Sequence, residues 1–72
     1  MTTSYTLQVS DRPRPPPEAW RTVYDGPMMS DDHARGLVED LAKWFTHARV
    51  WKHDEDATTE LHSLLRAPGW WR

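Results

Sequence analysis

Seventy-two residues are enough for one small domain, and a chain of this size removes only about 60% of its unfolded surface on folding, so its stability margin is a few kcal/mol. With no cysteine, neither a disulfide framework nor a thiolate metal site can stiffen it. Nine basic residues against eleven acidic ones leave a formal charge of −2, too little for a dedicated polyanion binder or a strongly acidic decoy.

The opening MTTSYTLQVS has no basic segment followed by an apolar core, and no apolar run approaches the ~20 residues that span a bilayer. The expectation is a cytoplasmic protein. From Ser4 to Ser10 the chain alternates, with Tyr5, Leu7 and Val9 on one face and Ser4, Thr6, Gln8 and Ser10 on the other, which is the pattern of a half-buried strand. The next stretch, DRPRPPPE from Asp11 to Glu18, holds four of the six prolines; it cannot donate regularly to a ladder and reads as an extended, solvated loop. Trp20 to Asp25 (WRTVYD) is rich in aromatic and β-branched residues and stops at Gly26-Pro27, giving a second strand. Its buried face stays open: Trp20, Thr22 and Tyr24 point one way, Arg21 and Val23 the other.

Ser30 is a good N-cap, Asp31 and Asp32 suit the positive end of a helix dipole, and Ala34, Leu37, Val38, Leu41, Trp44 and Phe45 recur at helical spacing. These signals predict a helix over about 31–46. Its polar face carries Arg35, Glu39, Asp40 and Lys43, with Glu39 and Lys43 at a favourable i,i+4 spacing. Gly36 inside it costs roughly 1 kcal/mol relative to Ala. Ala48 to Lys52 (ARVWK) then reads as a third strand with Val50 inward and Arg49 and Trp51 opposite, broken by the acidic HDED at His53 to Asp56. Beyond it Leu61, Leu64 and Leu65 share one helical face, so a short second helix capped by Thr58 or Asp56 is expected up to Pro68-Gly69. The order is β-β-α-β-α: an α+β fold in which a small three-stranded sheet carries one main helix on one face.

Residue chemistry points away from catalysis. His33, His47, His53 and His62 lack the spacing of metal ligands, and surface histidines explain them better; no metal or cofactor is expected. Ser63 beside His62 builds no triad by adjacency, no nucleophile elbow is present, and a chain this short has little scaffold for a cleft. RPRPPP fails the usual spacing of a polyproline ligand, because Glu18 takes the second core position.

Five tryptophans in 72 residues are the surplus to explain, since each can bury roughly 150–250 Å². Adjacent side chains diverge in either regular conformation, so Trp70 and Trp71 in the closing PGWWR cannot both lie on one small core. Trp70, Trp71, Trp51, Arg49 and Arg72 are therefore the expected partner-binding residues, the indoles supplying area and the arginines directional contacts. The partner expected is another protein or a second copy of the chain, as a homodimer. The alternative is single-stranded nucleic acid stacked on sheet aromatics, with Arg21 and Arg49 flanking them; the net charge disfavours it.

The stretch WRTVYDGPMMSDDHARGLVEDLAKWFTHARVW, Trp20 to Trp51, resembles small uncharacterised proteins of actinobacteria and of the phages that infect them, through "YDGP", the capped helix and "ARVW". Seven Arg to two Lys, with abundant Asp, Pro, Ala and Trp, has the look of a GC-rich genome. The resemblance implies an accessory protein acting by binding, in phages often a modulator of a host component. It assigns no site residue, and neither Pro13 to Pro17 nor the PGWWR tail falls within it.

Overall fold

In a computed structural model that describes residues 3–66, the chain forms β1 (Ser4–Ser10), β2 (Arg21–Gly26), α1 (Asp31–Leu41), β3 (His47–His53) and β4 (Thr58–Leu65). The four strands make one sheet in the order β2-β1-β3-β4, with every neighbouring pair antiparallel. β1 is thus central and pairs on both sides. Because β2 and β3 both run against β1, they run parallel to each other with β1 between them, and α1 is the crossover that joins them across one face.

The alternation in β1 places Tyr5, Leu7 and Val9 under the helix, where they meet Ala34 and Val38 of α1 and Ala48 and Val50 of β3. Val9, Val38 and Val50 are fully buried, each worth about 1.5–3 kcal/mol of transfer free energy. Met28, Leu37, Leu41, Phe45, Leu61 and Leu64 close the rim of this core. Ser30 caps α1 as expected, its hydroxyl accepting from the His33 N–H at 3.1 Å. Asp31 at the first turn accepts from the Tyr5 hydroxyl at 2.6 Å and from Lys52 Nζ at 3.1 Å, tying the helix start to β1 and β3. Gly36 is exposed with open space where a Cβ would stand, so no neighbouring backbone requires a glycine there.

Two expectations are corrected and one open assignment is decided. Among the described residues the sheet has four strands and there is one α-helix, because residues 58–65 form β4 and not a second helix. The misleading signal was a bulge: Val50 pairs with His62 and Trp51 with Glu60, so Leu61 is the extra residue, and the distortion lets Leu61 and Leu64, three apart, both reach the core as they would on a helix. What decides between the two is β3, whose outer edge would otherwise lack partners for its backbone groups.

The main helix stops at Leu41, not near residue 46. The N–H groups of Trp44 and Phe45 both return to the Leu41 carbonyl at 3.0 Å, closing a tight turn that delivers His47 to its pairing with Ser10 of β1. Trp44 sits on that turn 77% exposed and does not extend the apolar face, and Lys43 pairs with Asp40 at 3.6 Å, not with Glu39. Finally, β2 has no single buried face. A bulge between the pairs Leu7–Tyr24 and Gln8–Thr22 leaves Val23 as the extra residue, so Tyr24 lies on the helix side while Thr22, two residues away, lies on the other.

Candidate interaction site on the open sheet face

Among the described residues one helix covers one face of the sheet, and no helix lies on the opposite face. Side-chain alternation brings there Thr6 and Gln8 from β1, Thr22 and Asp25 from β2, His47, Arg49, Trp51 and His53 from β3, and Glu60 and Ser63 from β4. The expected placement of Arg49 and Trp51 opposite Val50 holds, and the register sets Arg49 directly across from Gln8 on one side and Ser63 on the other.

The centre of this face is a built cluster. Gln8 Oε1 accepts from Arg49 Nε at 2.8 Å and from Trp51 Nε1 at 3.1 Å, while its amide reaches Thr22 Oγ1 at 3.5 Å. The Arg49 guanidinium lies over the Trp20 ring, 3.8 Å from its centroid, and 4.9 Å from that of Trp51. Trp20, Arg49 and Trp51 are all half-buried. Burial lowers the Arg49 pKa from its ordinary value and the Glu60 carboxylate opposes that shift; an arginine remains a cation throughout. Among the described residues no ion pair joins Arg49 to Glu60, and the guanidinium's only hydrogen bond is through Nε, so its two terminal nitrogens are uncommitted.

The proline loop is pinned over one end of the cluster. His47 Nδ1 lies 3.2 Å from the Pro13 carbonyl and Nε2 lies 2.8 Å from Ser63 Oγ, with the Trp20 ring edge-on to the imidazole at 4.7 Å. A carbonyl only accepts, so Nδ1 carries a proton, and in the neutral ring the Ser63 hydroxyl donates to Nε2. The exposed Arg12 and Arg14 flank this anchor point. At the other end, Thr6 Oγ1 meets His53 Nε2 at 2.8 Å and donates to Asp25 Oδ1 at 3.3 Å, and His53 Nδ1 meets Thr58 Oγ1 at 3.1 Å.

Sequence reasoning named Arg49 and Trp51 but missed Gln8, Trp20 and His47. Alternation in β1 and β3 was signal enough for Gln8 and His47; Trp20 was taken as the first residue of a strand it only precedes. Ser63 partners His47 across the strands, not its neighbour His62, which lies on the helix side with Nε2 buried and 3.9 Å from Glu39 Oε2. Arg21, expected to flank a stacking platform, pairs with Val9 on the helix side and places its guanidinium 5.9 Å from the Phe45 ring centroid. Trp70, Trp71 and Arg72 lie outside the described residues.

A concavity of about 430 Å³ lies between β2 and α1 and is lined by Tyr24, Pro27, Met28, Met29, His33 and Leu37. It is apolar, and the Tyr24 hydroxyl is turned to the Pro27 carbonyl, so among the described residues only His33 offers side-chain polar groups there to orient a ligand. Among the described residues no three His, Asp or Glu side chains gather as a metal site, and no helix is long and apolar enough to cross a membrane. No protein-family model, curated protein or solved structure matches the chain.

Proposed function

We propose that the protein is a non-catalytic binding module that takes a protein partner on its open sheet face, with Arg49, Trp51 and Trp20 as the contact centre. The observation that carries this reading is the convergence of the Arg49 and Trp51 N–H groups on Gln8 Oε1. It holds a guanidinium and the Trp51 indole in place before any partner arrives, with the Trp20 ring against the same guanidinium, which reduces the side-chain entropy lost on association. Trp and Arg are also the residue types that dominate interface energetics when they are clustered and half-sheltered. In the setting that the resemblance of residues 20–51 implies, the partner is a host protein met by a phage-encoded modulator; a homodimer through the same face is the self-associating form of the reading.

Single-stranded nucleic acid is the competing reading, favoured by two indoles and an arginine on an antiparallel face. Against it stand Asp25 and Glu60 on that face, the net charge of −2, and the position of Arg21 on the other side. The test is a random-peptide display selection on the full chain, with Trp51→Ala as the counter-target and circular dichroism to confirm folding. Peptides that bind the native protein and not the variant are expected. Binders indifferent to Trp51, or none alongside salt-sensitive binding of a short oligonucleotide, would refute the reading. Light scattering on the pure protein separates the homodimer from a foreign partner.

A further inference from the structure

The geometry points to a specific chemistry for that partner: an acidic protein segment that seats one carboxylate on the free edge of the Arg49 guanidinium, with flanking residues resting on Trp20 and Trp51. The inference rests on the protein-binding reading and adds to it the group that is recognised. Three features of the cluster argue for it. First, Nε is already bound to Gln8, which fixes the plane of the guanidinium and leaves the two terminal nitrogens as a donor pair. That pair matches the two oxygens of a planar carboxylate, a match that an ammonium cannot make. Second, the Trp20 ring at 3.8 Å lies against one flat side of the cation, so an approaching anion is directed to the edge and not the face.

Third, no carboxylate among the described residues pairs with the cation. Glu60 is near enough to influence Arg49 but forms no ion pair with it among the described residues, and Gln8, a neutral acceptor, stands where a carboxylate would have cancelled the charge. Holding a half-buried guanidinium with a neutral amide leaves its attraction available to a ligand. Arg12 and Arg14, exposed in the loop tied to His47 through Pro13, add positive charge beside the same cluster. A single acidic residue between apolar neighbours fits this pattern. A polyanion does not, because successive phosphates would run against Asp25 and Glu60, which stand on the edge strands in the row of Trp51, next to that of Arg49.

The test uses the Trp51-dependent peptides from a display selection on the full chain, each resynthesised with its Asp or Glu replaced by the corresponding amide. The expected result is that the amide forms bind about tenfold more weakly or worse. The same loss is expected for the parent peptides on Arg49→Lys, which keeps the charge but not the paired donors. Gln8→Glu is the second variant: it keeps both internal hydrogen bonds, neutralises Arg49 in place, and is expected to abolish the preference for acid over amide while the protein stays folded. Trp51-dependent peptides without an acidic residue, or acidic ones indifferent to Gln8→Glu, would overturn the carboxylate inference and leave protein binding standing. Displacement of the peptides by a uridine oligonucleotide at equal affinity would overturn it in favour of nucleic acid. A selection yielding no Trp51-dependent peptide would remove both readings.

Discussion

Replacing Gln8 by Leu removes both acceptor contacts of the open-face cluster while keeping a side chain of similar size in β1. In a buried setting, a hydrogen bond from a charged donor is worth about 1.5–3 kcal/mol and one from a neutral donor about 0.5–1.5 kcal/mol. Here Arg49 Nε and Trp51 Nε1 are the donors, at 2.8 and 3.1 Å, and both side chains are half-buried, so water can reach the N–H groups once the amide is gone. The loss should accordingly fall at or below the bottom of the combined range of about 2–4.5 kcal/mol, at about 1–2 kcal/mol. A chain of 72 residues has roughly 4–10 kcal/mol in total, so this is a sizeable share. At roughly 4–8 °C per kcal/mol for a domain of this size, the melting temperature should fall by about 5–15 °C. Circular dichroism melts with a parallel urea titration measure it, and Gln8→Glu, which preserves both acceptors, should melt well above Gln8→Leu. If the leucine variant is as stable as the native chain, the amide is not organising Arg49 and Trp51, and the pre-organised site on which the functional reading rests is not there.

Two further predictions concern the scaffold. Val50→Ala, which empties space in the fully buried core, should cost about 2–3 kcal/mol by urea denaturation, whereas Trp44→Gln should stay within about 0.5 kcal/mol because Trp44 is 77% exposed. The second is pH dependence through Asp31. The Tyr5 hydroxyl and then Lys52 hold its carboxyl below the ordinary value of 3.8, so its contribution is present above that value and is lost as pH falls through the lower folded one. The hydrogen bond to Asp31 raises Tyr5 above 10.0 and Lys52 above 10.5; their contributions are present below those values and are lost as pH climbs past the raised ones. Urea midpoints should therefore drop below about pH 4 and above about pH 10, and Asp31→Asn should flatten both flanks.

How much of this was legible differs from element to element. β1 was readable because a strand with one buried face writes its burial directly into alternating side chains, and Tyr5, Leu7 and Val9 obey that rule without interruption. The start of α1 was readable because Ser30, Asp31 and Asp32 act on the helix locally. β4 was not, because its bulge at Leu61 converts a period of two into a spacing of three, and a short apolar run with that spacing reads as helix. The split face of β2 arose the same way, from a second bulge at Val23. On the open face, Arg49 and Trp51 followed from the position of Val50, but their grouping with Gln8 and Trp20 joins residues more than 40 positions apart in one case and reaches outside the strands in the other.

Composition and local pattern determined that this is a small α+β chain with no cysteine, a main helix capped by Ser30, an alternating first strand, and an arginine and a tryptophan turned away from the core. Only the tertiary structure decided the number of strands, the end of α1, the side on which Arg21 lies, and the convergence of two donors on one amide oxygen. The physical reason is the range of the forces concerned. Caps and alternation act over a few residues and leave their mark in sequence, whereas pairing a strand edge, placing a bulge or sharing an acceptor requires knowing which distant backbone lies alongside, and that is settled when the sheet assembles.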